Sequence, residues 1–583
     1  MPVSLVEGES LLALDVGAVN TRALLFDVVE GRYRFVAVGQ SLSTAEAPYA
    51  DVGEGVRRAI EHLQSITGRM FLQPNGALLT PSQPDGSGVD GVVGVLSAGP
   101  TLKTVIIGLL DDVSIESARR LAETTYTRIV DTIGLNDTRK THEQLNALRQ
   151  ARPDLVLIAG GTDGGASRSL QKAIEVVGLA CYLLPENQRP AVLFAGNQKL
   201  VEGVRSLLEK QAPLLRFSPN VRPALEIEDL EPASRELAEM VPAIRQMSMN
   251  GVEDLNLRCG GLLSAAYAHG RMIRFLSQVY GGEGGLLGVE VGASAVTVSA
   301  GLAGALRLNV YPQFGLGENL PRLLKHAELT EIVRWLPLDI SAGFVLDYIH
   351  QKALYPSSLA ATKEDLAIEQ ALARQALYLA IRKAAHDWPS RLRPLKPGLL
   401  PPFEQIFVGG SVITGAPTLG QSLLLVLDAL QPVGITNIIL DQNNLLPVLG
   451  AAAARNTLLP VQVLESGAFV NLAVVVAPIC EAEYGAVVMR VRLIQNDGTE
   501  SQHDVKHGSL EILPLPGGQS AKLQIKPLRR AEVGFGPGRG GTIRVAGGVL
   551  GVVIDARGRP LSLPADAVRR RELIKKWLWT VGG

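Results

Sequence analysis

Two segments of the sequence combine acidic, glycine and small residues in an order suited to binding a phosphorylated ligand. They are LLALDVGAVNTRALLFD (11–27) and LLGVEVGASAVTVSAG (286–301). In each segment an apolar run ends at an acidic residue, Asp15 or Glu290, a glycine follows two positions later, and a second apolar run begins. This pattern predicts a β-hairpin. An ordinary hairpin turn without a ligand stays the alternative for either segment.

The chemistry expected of these hairpins depends on glycine and on the carboxylates. Glycine at 17 and 292 lets backbone N–H groups approach phosphate oxygens closely. Two hairpins that face each other across a cleft can therefore wrap a polyphosphate. Asp15 and Glu290 would hold Mg²⁺ through its water molecules, since Mg²⁺ prefers oxygen ligands and keeps part of its hydration shell.

The elements around these segments indicate several domains in the 583-residue chain. A third strand (33–39) and a helix (51–67) follow the first hairpin, and alternating strands and helices between 92 and 210 predict a parallel sheet. Helical patterns cover 318–335 and 364–388. The predicted domains are a first lobe at 1–90, an inserted Rossmann-like α/β module at 91–215, a helical connection at 216–285, a second lobe at 286–460, and a C-terminal all-β domain with a basic terminal helix at 461–583.

Two later motifs complete a recognisable order. FVGGSVI (407–413) places a Gly-Gly turn after an apolar strand, and LLPVLGAAAARN (445–456) is a helix of small residues. Hairpin, hairpin, Gly-Gly turn and small-residue helix resemble the phosphate-1, phosphate-2, adenosine and second connecting motifs of the actin, Hsp70 and sugar-kinase superfamily. The resemblance implies an α/β, two-lobed actin-like ATPase fold with ribonuclease-H-like lobes. It also implies the nucleotide-binding residues Gly17, Thr21, Gly292, Ser294, Gly409, Gly410, Ser411 and Gly450.

A narrower resemblance rests on the region between the hairpins. PDLVLIAGGTDGGA (153–166), AVLFAGN (191–197) and their placement resemble the glutamate mutase accessory protein family, called MutL or glutamate mutase L, over residues 10–455. Members are regarded as actin-like ATPases, similar in role to reactivating chaperones of adenosylcobalamin-dependent mutases. The resemblance implies ATP and Mg²⁺ as cofactors and a protein partner, with a cobalamin-dependent mutase as one candidate.

Several positions depart from the pattern of that family. Ala18 and Val19 stand where the first hairpin usually has hydroxyl side chains. In the second hairpin Ala293 replaces a glycine and Thr297 replaces an aspartate. A Cβ at 293 would crowd a phosphate, and threonine carries no charge. We therefore expect weakened nucleotide binding, with a slow ATPase and a pseudo-ATPase both open.

The GGTDGG loop is a second candidate site. It follows an apolar strand and precedes a helix, which is where an α/β sheet binds ligands and where a helix N-terminus attracts anions. A plain strand-to-helix turn is the alternative. The residues predicted for a ligand or partner loop are Gly160, Gly161, Asp163, Gly164 and Gly165.

Two other functions stay open. A degenerate, nucleotide-free scaffold or interaction protein would use the fold only to present its surface. A small-molecule kinase of the same superfamily would need a carboxylate base, for which Asp441 and Asp163 are the candidates.

Composition limits the partners. Lys plus Arg number 56 and Asp plus Glu 57, so whole-chain charge attracts neither nucleic acid nor an anionic membrane. Three isolated cysteines fit a reducing compartment, and no apolar run reaches the length of a spanning helix. We expect a cytoplasmic protein without an integral membrane span and without a nucleic-acid partner, and a homo-oligomer stays open.

Overall fold

The structure is a computed structural model that describes residues 9–165, 168–280, 282, 284–389, 392 and 394–583. The first residues of the predicted first lobe, 1–8, lie outside this description, as does the last residue of the GGTDGGA motif. The strands are β1 (Leu11–Val16), β2 (Asn20–Val29), β3 (Arg32–Leu42), β4 (Gly91–Leu96), β5 (Leu102–Ile107), β6 (Thr127–Ile133), β7 (Leu155–Ile158), β8 (Ala191–Phe194), β9 (Leu215–Phe217), β10 (Leu262–Ser264), β11 (Leu286–Val291), β12 (Val296–Leu302), β13 (Ala305–Tyr311), β14 (Gln405–Gly409), β15 (Gly434–Leu440), β16 (Val470–Ala477), β17 (Val487–Gln495), β18 (Glu500–Lys506), β19 (Leu510–Leu513), β20 (Ser520–Pro527), β21 (Gly541–Ala546) and β22 (Val552–Asp555). The helices are α1 (Val52–Thr67), α2 (Glu116–Ala122), α3 (Thr141–Ala151), α4 (Arg168–Leu183), α5 (Val201–Leu208), α6 (Glu231–Gln246), α7 (Val252–Arg258), α8 (Ala265–Val279), α9 (Leu329–Val333), α10 (Ala342–Leu354), α11 (Lys363–His386), α12 (Ser411–Thr414), α13 (Leu419–Leu430), α14 (Leu445–Ala452), α15 (Leu458–Glu465) and α16 (Ala567–Thr580).

The chain divides into two compact units. The first contains the described residues up to Ala268 together with Leu308–Pro312, and the second contains His269–Arg307 and Gln313–Gly583. Among the described residues no helix is long and apolar enough to cross a membrane.

The first unit begins with a five-stranded sheet in the order β10-β4-β1-β2-β3. β1 pairs antiparallel with β2 and parallel with β4, so the first hairpin lies at the centre of the sheet. Helix α1 starts at Asp51, whose carboxylate accepts a hydrogen bond from Gly53 N at 2.8 Å. The helix packs so closely on β3 that a Cβ placed on Gly39 would lie 2.1 Å from Ala59 O, which explains the glycine.

A second sheet in the first unit has the order β6-β5-β7-β8-β9, and all its strands are parallel. Apolar residues of α2 and α6 cover one face, and those of α3, α4 and α5 cover the other. The limits of this sheet and its helices differ from the boundaries predicted at 91 and 215. β4 pairs with β1 in the first sheet, and α6 lies beyond residue 215.

The second unit is built on an eight-stranded sheet with the order β13-β12-β11-β14-β15-β16-β22-β19. β11 pairs antiparallel with β12 and parallel with β14, and β14 pairs parallel with β15. If the strands of each large sheet are counted along the chain, β3-β2-β1-β4-β10 and β13-β12-β11-β14-β15 follow the same order, third-second-first-fourth-fifth. The two units therefore repeat one topology.

The C-terminal strands do not form one separate sheet. β17, β18, β20 and β21 form a four-stranded antiparallel sheet, but β16, β19 and β22 extend the large sheet of the second unit. Val476 and Ile554 of the large sheet share a core with Val491 and Leu523 of the small one. The boundary predicted at 461 thus falls within one packed unit, because strand patterns do not reveal their partners.

The prediction of one continuous helix over 318–335 is wrong. The chain forms a 3₁₀ helix at Leu320–Lys325, and α9 then begins after Glu328. Glu328 and Glu331 form a capping box, which starts a new helix instead of continuing the old one. The helix predicted at 364–388 is present as α11.

Candidate functional site

The first hairpin turns through three residues between β1 and β2, Gly17, Ala18 and Val19. Gly17 N donates a hydrogen bond to Asn20 O at 3.0 Å, which closes the turn. A Cβ placed on Gly17 would lie 2.7 Å from Asn20 O, so a larger residue would push the turn open. The turn residues are half-buried, whereas β1 is buried throughout.

Asp15, the last acidic residue before the turn, is ion-paired. Arg22 lies directly opposite Asp15 in the β1–β2 register, and its Nη1 donates to Asp15 Oδ2 at 2.9 Å. Asp15 is only 2% exposed. The sequence analysis missed Arg22, although its position across the hairpin from Asp15 was the signal that could have identified it.

Two buried polar atoms, one in Arg22 itself and one in the neighbouring Thr21, lack a hydrogen-bond partner among the described residues. They are Thr21 Oγ1 and Arg22 Nε. Buried polar atoms are nearly always satisfied, so atoms left without a partner indicate a place for a polar ligand or for water. The predicted residues Asp15, Gly17 and Thr21 therefore lie together in the first unit.

The second hairpin repeats the turn of the first. Gly292 N donates to Ala295 O at 3.0 Å, the same bond at the same length as in the first hairpin. The carbonyls of Gly292 and Ala293 accept hydrogen bonds from Leu316 N and Gly317 N, each at 3.0 Å. The loop after β13 thus fixes the turn on one side, a contact that the sequence analysis did not predict.

Glu290 and the Gly-Gly turn lie side by side at the carboxyl ends of β11 and β14. Glu290 is directly opposite Gly409 in the strand register. Gly410 has φ +102°, and a Cβ placed on it would lie 2.1 Å from Val291 O. Position 410 therefore requires glycine, because both the backbone conformation and the approach of β11 exclude a side chain.

The remaining predicted nucleotide-binding residues are divided. Ser294 is half-buried within the second turn, and Ser411 is exposed at the start of α12. Gly450 is buried inside α14. The structure thus brings Glu290, Gly292, Ser294 and the Gly-Gly turn to one edge of the second large sheet.

Asp441 also reaches this edge, but its carboxylate is occupied. A Cβ placed on Gly409 would lie 3.9 Å from Asp441 Cβ. The two carboxylate oxygens of Asp441 accept hydrogen bonds from Leu445 N at 2.7 Å and Leu446 N at 2.8 Å. Asp441 is therefore an N-terminal cap of α14.

The GGTDGG loop lies at the carboxyl edge of the parallel sheet, after β7. Asp163 Oδ1 accepts from Asn220 Nδ2 at 2.9 Å and from Gln198 N at 3.2 Å, and Asn220 Nδ2 also donates to Gly161 O at 2.9 Å. Gly164 and Gly165 are exposed, whereas Gly160 is buried. These bonds give Asp163 a structural role within the loop.

His269 lies behind the second hairpin and carries no charge there. Its Nδ1 is 3.0 Å from Ser299 Oγ, and a Cβ placed on Gly288 would be 2.7 Å from the ring. Complete burial lowers the pKa of His269 to about 4, so the ring is neutral at pH 7. It contributes packing and not electrostatic attraction for a ligand.

The residues present fit a magnesium nucleotide in part. Taken separately, each unit offers one carboxylate of the oxygen-donor type that Mg²⁺ prefers, Asp15 in the first and Glu290 in the second, with a glycine turn two residues later. The described residues contain no group of three or more His, Cys, Asp or Glu that could hold a metal by themselves. Arg22 opposes the fit, because its guanidinium neutralises Asp15.

The repeated strand order, with a glycine hairpin joining the first two strands of each large sheet, defines an actin-like fold made of two ribonuclease-H-like sheets. The fold class predicted from the sequence is confirmed. The sequence model of the family described as MutL protein matches residues 11–467, and the chain belongs to this family, as predicted.

Known proteins similar to the chain include Protein MutL of Clostridium tetanomorphum, which is 24% identical over 299 residues. That match covers 50% of this chain and 57% of the relative, so it spans little more than half of the relative's length. Among solved structures, nucleotide-free acetone carboxylase is 13% identical with a TM-score of 0.31, over 86% of this chain and 81% of that chain. The ethanolamine utilization protein EutJ from Carboxydothermus hydrogenoformans is 9% identical with a TM-score of 0.28, over 77% of this chain and 89% of that chain.

Proposed function

We propose that the chain is a nucleotide-binding accessory factor that acts in a chaperone-like manner on a partner enzyme and hydrolyses ATP slowly or not at all. The observation that carries the proposal is the repeated turn. Gly17 N and Gly292 N make the same 3.0 Å hydrogen bond, each two residues after an acidic residue at the end of a strand. Membership of the MutL family supports the accessory role.

The role proposed for each carboxylate and each glycine turn follows from its chemistry. Mg²⁺, when bound, neutralises phosphate charge, and Asp15 and Glu290 are proposed to orient its water shell. The glycine turns bring backbone close to phosphate oxygens. Residues proposed to contact phosphate are Gly17, Thr21, Gly292 and Ser294, and those proposed near the adenosine are Gly409, Gly410, Ser411 and Gly450.

Slow hydrolysis is proposed from the charges at both turns. Arg22 occupies the carboxylate of Asp15. Thr297, directly opposite Glu290 in the hairpin, is 2% exposed and uncharged, so the second hairpin has one carboxylate where the family pattern has two. With one carboxylate paired to Arg22 and an uncharged threonine at 297, the hairpins have less capacity to position a metal ion and a water molecule.

The ion pair between Asp15 and Arg22 favours a second candidate function, that of a nucleotide-free scaffold. If Arg22 satisfies Asp15 permanently, the first hairpin has a structural role only. A small-molecule kinase is disfavoured, because the two carboxylates considered as bases, Asp441 and Asp163, accept hydrogen bonds from their own surroundings.

Calorimetric titration of the full chain with ATP, with and without Mg²⁺, separates the first two candidates. We expect saturable binding that Asp15→Ala abolishes. Asp27→Ala is the matched control, since Asp27 lies in the same sheet at the other end of β2 and forms an ion pair with Arg69, which follows α1. Absence of binding to a folded wild-type protein, or unchanged binding by Asp15→Ala, would reject the nucleotide site and leave the scaffold.

The accessory role has a separate test. Affinity capture of a cobalamin-dependent mutase by the immobilised full chain, with and without ATP, should show capture that ATP alters at least several-fold. Capture insensitive to ATP would argue against nucleotide control of the partner.

A further inference from the structure

A cavity of about 320 Å³ lies in the second unit, between the last turns of α11 and α13 and the loop 398–401. Its volume is in the range of small-molecule sites. Most of the residues that line it are apolar, although polar atoms make up about half of the wall surface. The apolar lining residues include Ile381, Leu399, Leu400, Pro401 and Leu430.

The cavity is separate from the edge that carries Glu290. Pro401 precedes β14, and Leu430 precedes β15, so the cavity borders the amino ends of these parallel strands. Glu290 is opposite Gly409 at the carboxyl end of β14. Five strand residues therefore separate the two places, a distance of roughly 13–17 Å.

One buried donor in the wall, the indole N–H of Trp388, has no acceptor among the described residues. Trp388 is 9% exposed, and its ring packs edge-on against Phe403 at 5.4 Å. Trp388 Nε1 is buried and has no hydrogen-bond partner among the described residues. Buried indole N–H groups usually find a partner, so this one indicates a ligand that supplies an acceptor oxygen.

The positively charged side chain of Arg382 lines the same cavity. Arg382 is exposed, stacks over the ring of Tyr378 at 4.2 Å, and donates from Nη1 to Gly398 O at 3.1 Å. A guanidinium has five N–H donors, so Arg382 retains donors beyond the one given to Gly398. Lys383 in the last turn of α11 offsets the partial negative charge of that helix end.

We propose that this cavity binds a small amphipathic carboxylate. Its apolar part lies against Leu399, Leu400 and Leu430, and its carboxylate accepts hydrogen bonds from Trp388 Nε1 and from the Arg382 guanidinium. The apolar part of the wall selects the body of the ligand. The Trp388 N–H and the Arg382 cation, which line the same cavity, select an anionic oxygen in place of a neutral group.

Calorimetric titration of the full chain with octanoate tests the assignment, with 1-octanol as the neutral probe of the same length. We expect one octanoate per chain and weaker binding of 1-octanol. Trp388→Phe keeps an aromatic ring and removes the N–H, so octanoate affinity should fall roughly tenfold. Arg382→Gln, at an exposed position, should weaken octanoate at least as much and leave 1-octanol unchanged.

Matched controls are Trp579→Phe, whose tryptophan is 83% exposed on α16, and Arg569→Gln, also exposed on α16. Both should bind octanoate like the wild type. Three results would overturn the proposal: no saturable binding of octanoate by the wild type, wild-type affinity for octanoate in Trp388→Phe and in Arg382→Gln, or 1-octanol binding as tightly as octanoate. None of these measurements depends on the nucleotide proposal.

Discussion

Arg245 in α6 is a buried cation whose three guanidinium nitrogens have no hydrogen-bond partner among the described residues. It is 1% exposed and lies 5.2 Å from the centre of the Tyr126 ring. Burial lowers its pKa to about 10. Removing a cation from water costs several kcal/mol, and an aromatic ring offsets only part of that cost.

Arg245→Met should therefore raise the free energy of unfolding by about 1–2 kcal/mol, since methionine fills a similar space without charge. The denaturant midpoint of the full chain measures the effect. Arg216→Met, at an exposed position in β9, is the control and should change the midpoint little. A lower midpoint for Arg245→Met would show that an internal water or a bound anion satisfies the guanidinium.

Gly410 provides a second test at the residue scale. Gly410→Ala places a Cβ 2.1 Å from Val291 O at φ +102°, so the turn and β11 must separate. We expect a loss of about 3 kcal/mol or more in unfolding free energy. Gly343→Ala is the control, because nothing lies within 4 Å of its Cβ and alanine favours the helix there. Thermal unfolding of both variants checks the difference.

At the residue scale the sequence predicted that Asp15 and Glu290 lie near strand ends but not which side chains they contact. The acid-then-glycine spacing placed Asp15 and Glu290 correctly at strand ends, because strand and turn signals are local. The Arg22 partner of Asp15 depends on the exact hairpin register. Asp441 was considered as a catalytic base from the sequence, but in the structure its carboxylate caps the N-terminus of α14.

At the scale of elements, a buried ionic network joins α11, α13 and the segment after β22. Asp428 accepts from Arg374 Nε at 2.8 Å and from Arg557 Nη1 at 2.7 Å. Asp555 accepts from Arg557 Nε at 2.8 Å and from Arg559 Nη2 at 2.7 Å. The network fixes the C-terminal strand to two helices of the second unit.

Asp428→Asn removes the carboxylate that pairs with Arg374 and leaves Arg557 with Asp555 alone, so it should destabilise the second unit by about 3–5 kcal/mol. The control is Asp504→Asn. Asp504 pairs with Arg490 at the surface, where both side chains are 45% exposed, and such pairs contribute about 0–1 kcal/mol. Similar midpoint shifts for the two variants in urea would contradict the importance of the buried network.

The network also predicts a pH dependence. Burial alone raises the pKa of Asp555, but the guanidinium groups of Arg557 and Arg559 reverse this and hold it far below its ordinary range. A carboxylate with a depressed pKa stabilises the fold fully above its unfolded pKa near 4, and the contribution is lost as pH falls below that value.

The difference in stability between wild type and Asp555→Asn should therefore be constant from pH 7 to about pH 5 and shrink below pH 4. Thermal unfolding across this range measures it. A difference that stays constant down to pH 3 would mean that Asp555 binds no extra proton on unfolding.

Helices and strands could be predicted where one hydrophobic pattern ran through many consecutive residues. Helix α11 matches its predicted span, because 24 residues of helical sequence follow a Thr362 cap. The break before α9 was missed, since the Glu328–Glu331 capping box also fits the polar face of one continuous amphipathic helix. Helix α10 was not predicted at all.

At the scale of the whole molecule, the sequence predicted the two repeated lobes and the insertion but not their limits. β4 was assigned to the inserted module because it precedes β5 directly, yet its partner is β1. The C-terminal strands were assigned to one domain, yet three of them complete the large sheet. Strand pairing over long sequence separation leaves no local signal.

The inserted module has the features of an independently folding domain. Its parallel sheet is covered on both faces, by α2 and α6 on one side and by α3, α4 and α5 on the other. Its two ends meet, because a Cβ placed on Gly99 would lie 3.3 Å from Arg245 Cδ. Adjacent ends are typical of a domain inserted into another chain. A fragment of residues 100–246 should therefore fold alone.

A fragment of residues 100–215, which stops at the boundary predicted from the sequence, is the matched control. It lacks α6, whose Leu237, Met240 and Val241 are buried against the sheet. We expect the longer fragment to unfold cooperatively on heating. The shorter one should bind a hydrophobic dye and lack a sharp transition, because one face of its sheet is uncovered. Cooperative unfolding of both fragments would show that α6 belongs to the helical connection, and failure of both would show that the module needs the first sheet.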